Sequence, residues 1–272
     1  MKYIEKQQSL DGSVKYLWEL SDCNTVESIY LPINNEKYTC ISSQIGCNVK
    51  CTFCETGKQR SLRNLTPSEI FMQVFATIRD LNVGELYQVA FAGMGEPLFN
   101  LKNVISGSEL ILDAKLCQSI SLSTSGIVPK IYDLVNSPIT KLFISLHATT
   151  DATRNLLVPM NYPIKDLLSA SNYFYHHVGN KIVAAYLLFE NLNDTDSDLD
   201  RLMNLLDPSV YTIRLSVWNR VSNTQFAPSH RLEYFFNTLQ CKGYDVFVLN
   251  SMGSDIEGGC GQFRSRNNSQ KK

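Results

Sequence analysis

The sequence has no hydrophobic run long enough to cross a bilayer. Its longest apolar stretch, Ile182 to Phe189, falls far short of the roughly 20 residues a spanning helix needs, which excludes a helical membrane protein. The opening Met-Lys-Tyr-Ile-Glu-Lys-Gln-Gln carries no apolar core of the kind a secretory signal requires, and the expected location is the cytoplasm. An excess of one charge is also lacking, since 25 Lys and Arg against 26 Asp and Glu leave a formal net charge of −1. Disorder needs few aromatics and a large net charge, and with 13 Tyr and 13 Phe the chain has the opposite composition. No repeat, low-complexity tract or Pro/Gly/Ser-rich linker divides the 272 residues. The expectation is one domain over residues 1–263, followed by a flexible basic tail over 264–272 that lacks apolar residues.

What is abundant is cysteine: Cys23, Cys40, Cys47, Cys51, Cys54, Cys117, Cys241 and Cys260. In a reducing compartment, and in a chain large enough to fold without staples, clustered cysteines bind metal or do redox chemistry more often than they form disulfides. Cys23, Cys117 and Cys241 have no motif around them and read as core or incidental surface.

Short β-branched or apolar runs alternate with amphipathic stretches of helical length, the pattern of a parallel sheet. An antiparallel meander within residues 10–42 (Lys15 to Trp18, Val26 to Leu31, Tyr38 to Ser42) leads into the first barrel strand. Thr66-Pro67-Ser68-Glu69 is a capping box with proline at the first helical position, followed by apolar residues at helical spacing through Leu81. Further strands are expected at Gln88–Ala92, Ser119–Ser123, Lys141–Leu146, Ile182–Leu188 and Tyr211–Val217, each followed by a helix. The expected fold is α/β, an incomplete (β/α)6 TIM-type barrel with an N-terminal antiparallel β extension. In such barrels chemistry sits at the C-terminal ends of the strands.

Cys47-Asn-Val-Lys-Cys51-Thr-Phe-Cys54 lies between the first barrel strand and the capped helix, with spacing C-x3-C-x2-C. Structural zinc would need four ligands, usually in paired short-spaced units, and no fourth lies nearby. Three thiolates on one loop suit a [4Fe-4S] cluster that keeps one iron without a protein ligand. Here the sequence resembles the radical S-adenosylmethionine (SAM) superfamily, with Phe53 at the aromatic position of its signature. The resemblance implies that the open iron is chelated by the amino and carboxylate groups of SAM, which one electron cleaves to a 5′-deoxyadenosyl radical. Gly93-Met94-Gly95-Glu96-Pro97 follows the second barrel strand, where the superfamily's SAM-binding motif stands; a plain turn is the alternative.

Further segments resemble the RlmN/Cfr-type RNA adenine methyltransferases, over Leu10 to Phe263. Leu122-Ser123-Thr124-Ser125-Gly126, Ile144-Ser145-Leu146-His147-Ala148, Leu157-Val158-Pro159-Met160-Asn161 and Trp218-Asn219 carry the match. By this resemblance Gly95, Glu96, Ser123, Ser145, Leu146, His147 and Asn219 would contact SAM, and Cys47, Cys51 and Cys54 would hold the cluster. Cys260 would be methylated by a first SAM, and the new S-methyl group would lose a hydrogen to the radical from a second. The resulting methylene radical would add to an amidine carbon of adenine, with C2 favoured over C8. Glu27 would accept the ring proton, and Cys40 would resolve the protein–RNA crosslink by forming a disulfide with Cys260. Taken singly, His147 reads as a core histidine, Asn219 as a turn residue, and Cys40 and Cys260 as ordinary thiols.

The resemblance implies rRNA or tRNA as partner, a flavodoxin- or ferredoxin-type electron donor, a monomer and no membrane. The family's extra N-terminal helical domain, which helps grip RNA, is expected to be absent from this chain. Lys58, Arg60, Arg63, Arg264, Arg266, Lys271 and Lys272 are the local basic residues, equally explained as solvated surface. A peptide, nucleotide or metabolite acceptor is the second reading, and a non-catalytic metal-binding module the third.

Overall fold

The computed structural model describes residues 1–218, 226–249, 253, 255, 256, 262, 264 and 265. Strands β1 (Lys2–Gln8), β2 (Val14–Glu19), β3 (Thr25–Ile33) and β4 (Glu36–Cys40) form an antiparallel meander. A two-rung hairpin, β5 (Gln44–Ile45) with β6 (Arg63–Asn64), brackets the short helix α1 (Glu55–Lys58). The chain then alternates α2 (Pro67–Leu81), β7 (Leu86–Phe91), α3 (Leu101–Asp113), β8 (Cys117–Thr124), α4 (Val128–Tyr132) and β9 (Lys141–Ser145). After α5 (Asp151–Leu157) and α6 (Ile164–Val178) come β10 (Ile182–Leu188), α7 (Asp196–Leu205), β11 (Tyr211–Val217), α8 (Leu232–Cys241) and β12 (Asp245–Val248).

Strand β4 is the pivot of the architecture, antiparallel to β3 on one side and parallel to β7 on the other. From it β7 to β12 add in chain order, all parallel, and β1 and β12 form the two edges of one ten-stranded sheet. Helices between successive parallel strands curl such a sheet into an open barrel, as the strand pattern led one to expect. The β5–β6 hairpin and α1 were not anticipated, nor were three further elements. Strand β1 is mostly polar and exposed, β12 is four residues long, and α5 is two turns. Among the described residues, no helix is long and apolar enough to cross a membrane.

The pleat divides the barrel strands into two faces. Val89, Ile120, Leu122, Ile144, Tyr186, Ile213 and Leu215 are buried in the helix layer, each contributing on the order of 1.5–3 kcal/mol. By the strand register the alternate residues, Cys40, Ala90, Ser121, Phe143, Ala185 and Arg214 among them, share the concave face.

Helix α2 starts at the capping box read from the sequence: Glu69 N donates to Thr66 Oγ1 at 3.2 Å, and Thr66 N donates to Glu69 Oε2 at 2.9 Å. Its buried face also carries Gln73, whose amide accepts from Ser42 N at 2.9 Å and donates to Ser42 O at 3.0 Å. The helix therefore grips the backbone that leaves β4.

Candidate active site

The cysteine loop springs from a rigid neck. The β5–β6 rungs close it at the base, and Gly46, at φ +80°, lets its two arms meet: a Cβ there would lie 2.3 Å from the Arg60 carbonyl oxygen. Left-handed geometry and close approach both require glycine at this point. The far side of the loop docks on the barrel rim. Thr52 N donates to Leu157 O at 3.0 Å, and the Trp218 indole N–H donates to Phe53 O at 3.0 Å. Val49 is buried with Leu157, Val158, Phe189 and Trp218, while the Phe53 ring packs edge-on to His147 at 5.1 Å.

Cys47, Cys51 and Cys54 are free thiols on this loop. Burial pushes Cys47 up to about 12 and raises Cys51 and Cys54, and the neighbouring cysteines add to the shift at Cys47 and Cys51. As thiolates they would need a compensating positive centre. Among the described residues, no three of His, Cys, Asp and Glu are grouped to hold one metal ion. Three thiols are one ligand short of a structural zinc site, whereas an iron–sulfur cubane takes each thiolate on a different iron. The three-thiol donor set fits a [4Fe-4S] cluster with one iron left open.

The Gly93–Pro97 segment packs on the same neck. A Cβ on Gly93 would lie 2.7 Å from Ile41 O, and one on Gly95 (φ +100°) 2.6 Å from the Gln44 side chain. Its glycines are thus required first by backbone packing against the chain that leads to the cysteines. Glu96 is 3% exposed, and its carboxylate accepts from Leu98 N, Thr124 Oγ1, Ser125 N and Ser125 Oγ at 2.7–3.1 Å. Burial raises its pKa and the four donors oppose the rise. These donors fill a carboxylate's usual acceptor positions, so Glu96 joins the ends of β7 and β8.

Ser123 is half-buried on the concave face of β8. Ser145, Leu146 and His147 end β9, where His147 takes the left-handed region at φ +54°. Leu187 N donates to His147 Nδ1 at 3.2 Å, so the ring proton sits on Nε2. Burial, with Arg214 and Arg154 adding to it, pushes His147 down to about 3, so the ring stays neutral.

Sequence reasoning missed Arg154, which is 0% exposed. Its guanidinium donates to the carbonyls of Ser125 (2.5 Å), Ser145 (3.2 Å), Leu146 (3.2 Å) and Tyr162 (3.2 Å). One fork thus holds the ends of β8 and β9 together. Its only sequence signal is a lone arginine in Asp151-Ala-Thr-Arg-Asn-Leu-Leu, which gives no hint of burial.

Glu27 and Cys40 share the concave face, because Ile29 pairs with Cys40 and Glu27 lies two residues from Ile29. Glu27 is 3% exposed: Lys15 Nζ is 2.9 Å from Oε2, and Arg264 N donates to Oε1 at 2.7 Å. Arg264 and Ser265, expected in a loose tail, are docked instead. Arg264 donates to Gln59 Oε1 at 2.6 Å and Ser265 Oγ to Glu55 Oε1 at 2.9 Å, which ties the C-terminal segment to the cysteine loop. On the other side of Cys260 in sequence, Asp255 accepts from Leu10 N at 2.9 Å, and Gly253 N donates to Asp11 Oδ2 at 2.7 Å. Cys260 and Asn219 lie outside the described residues, as do Arg266, Lys271 and Lys272.

Arg63 is committed internally, bidentate to Glu69 at 2.8 Å and bonded to Asp22 at 2.7 Å. Lys58 faces Glu55 at 3.4 Å, and Arg60 is exposed. Cys117 is buried in the core, and Cys23 and Cys241 are exposed.

Residues 41–206 match the family described as the Radical SAM superfamily. The chain is 38% identical to a dual-specificity RNA methyltransferase RlmN of Buchnera aphidicola subsp. Schizaphis graminum, over 96% of this chain and 76% of the relative. It is 38% identical to the RlmN of Geotalea uraniireducens, over 96% and 77%. A crystal structure of a radical SAM methyltransferase from Sphaerobacter thermophilus superposes with a TM-score of 0.90 at 32% identity, over 96% of this chain and 80% of that one.

Proposed function

Since the chain belongs to the radical SAM superfamily and, within it, to the RlmN family of methyltransferases, we propose that it builds a methyl group on an adenine carbon of RNA. C2 is favoured over C8 because the proton acceptor of the C2 route has a counterpart in Glu27. The observation that supports this reading most is that Glu27 and Cys40 share one concave face while Arg264, only four residues along the chain from Cys260, is hydrogen-bonded to Glu27.

When bound to Cys47, Cys51 and Cys54, a [4Fe-4S] cluster supplies the electron that cleaves SAM and so provides a hydrogen-abstracting radical. The chain's own residues supply the rest. The Cys260 thiolate takes a methyl group from a first SAM, forming its S–CH3 bond as the sulfonium S–CH3 bond breaks. Carbon radical addition then reaches a ring carbon that is not nucleophilic enough to attack SAM. Glu27 accepts the proton displaced from that carbon, and the adduct radical gives up one electron, which the cluster held by Cys47, Cys51 and Cys54 would take. Cys40 attacks the Cys260 sulfur, forming the S–S bond as the C–S bond to the new CH2 group on adenine breaks, and that carbon takes up a proton to become the methyl group. Arg154 and Glu96 hold the strand ends against which SAM would lie.

A smaller acceptor is the second reading. It is favoured by the net charge of −1 and by the internal hydrogen bonds of the Arg63 and Arg264 guanidinium groups, both of which weaken phosphate binding.

Anaerobic reconstitution with iron, sulfide, SAM, reductant and RNA tests the proposal. The expected products are 5′-deoxyadenosine, methylated adenosine and a Cys260 peptide heavier by one methylene. Absence of 5′-deoxyadenosine overturns the radical reading. An unmodified Cys260, with a fully active Cys260→Ala variant, overturns the methyl-carrier reading. Deoxyadenosine without methylated RNA moves the acceptor to the second reading.

A further inference from the structure

Arg214 is a cation inside the barrel with no role in the scheme above. Its neighbours on β11, Ile213 and Leu215, are buried in the helix layer, so the pleat turns Arg214 to the concave face. Ala185 stands at its paired position on β10, and its small side chain leaves room for the guanidinium to reach across to the Phe143 ring on β9, 5.4 Å from the centroid. Among the described residues Arg214 has no carboxylate within ion-pair distance, and its Nε is buried without a hydrogen-bond partner. A guanidinium so placed is costly unless it serves an anion.

We propose that Arg214 stabilises the thiolate of Cys40 across the concave face, as a positioning residue for the step in which Cys40 acts as nucleophile. Cys40 reaches that face from β4, the opposite side of the sheet's curl. Burial pushes its thiol up to about 11, and the Arg214 guanidinium is the charge that pulls it back. The effect is mutual: burial lowers Arg214 and Cys40 opposes the fall. The other ionisable groups around this face offer Cys40 no comparable help. Lys15 is paired with Glu27, His147 is held neutral, and Lys141 stands at the start of β9. Ile29 and Ala90, beside Cys40 on the adjoining strands, do not ionise.

The catalytic use of Cys40 rests on the proposed function, but its titration does not. The test uses the cluster-loaded protein without RNA, alkylated by iodoacetamide across a pH series, with Cys40 read by peptide mass spectrometry. Each event joins the thiolate to the acetamide carbon and releases iodide. Arg214→Gln and Arg214→Met should both raise the midpoint by about one pH unit, a roughly tenfold slower reaction at pH 8, and Arg214→Lys should restore most of it. Circular dichroism checks that each variant is folded. Unchanged midpoints in the folded Gln or Met variant overturn the proposal, as does an Arg214→Lys protein that behaves like Arg214→Gln. Failure of RNA methylation in the unaltered protein would count against the proposed function and leave this shift standing.

Discussion

The Arg264 amide donates to Glu27 Oε1 at 2.7 Å, joining residues 237 positions apart, while Lys15 Nζ holds the other carboxylate oxygen at 2.9 Å. Arg264 thus meets the antiparallel extension at a buried ion pair. Such a pair is geometry-dependent, and removal of one partner strands the other charge.

Glu27→Gln should therefore destabilise the fold by about 3 kcal/mol as well as abolish methylation. Lys15→Met combined with Glu27→Gln should cost less than the sum of the two single changes. Urea titrations of the four proteins check this, and strict additivity would show that the pair is not coupled.

Arg154→Lys keeps the charge but loses the fork that reaches four carbonyls. With buried acceptors left unpaired, a loss of about 2–4 kcal/mol is expected, together with weaker SAM binding by calorimetry. Unaltered SAM affinity would separate Arg154 from the site.

His147 is pushed down to about 3, whereas a histidine in the unfolded chain titrates near 6.5. Between those values the unfolded state binds the extra proton, so this residue lowers stability as pH falls and has no effect above the unfolded value. From pH 6.5 to 4.5 the loss should reach about 2 kcal/mol. His147→Asn can keep an acceptor for Leu187 N and tolerates the left-handed backbone. It should flatten the dependence of stability on pH in that window relative to the unaltered protein, measured by melting temperature. Parallel curves would contradict a neutral buried imidazole.

Gly46→Ala would set a methyl group against the Arg60 carbonyl at a positive φ and force open the neck of the cysteine loop. Bound iron and sulfide per protein after reconstitution should fall severalfold while far-ultraviolet circular dichroism stays near that of the unaltered protein. Full loading would show that the neck does not set the cysteine geometry.

Local chemistry made much of this legible. The Thr66–Glu69 capping box, the period-2 and period-3.6 runs and the three-cysteine spacing each state a requirement that neighbouring residues satisfy. Strand β1 escaped because its side chains are mostly exposed, so no apolar alternation marks it, and β12 because four residues carry too little pattern. Arg154, Arg63 and Arg264 read as surface charge in the sequence, since an arginine's partners here are distant carbonyls and carboxylates that only the fold brings near. Gly93 and Gly95 stand out in the sequence, but their packing against Ile41 and Gln44 depends on a parallel strand pair remote in sequence.

The origin of the transferred methyl hydrogens tests the central claim most directly. Reconstituted protein is incubated anaerobically with RNA, reductant and SAM whose methyl group is fully deuterated, and the digested nucleosides are weighed by mass spectrometry. Assembly through Cys260 removes one methyl hydrogen and later adds a proton, so the expected methyladenosine carries two of the three deuteriums, the third appearing in 5′-deoxyadenosine. A methyladenosine retaining all three would mean direct transfer and would contradict the account.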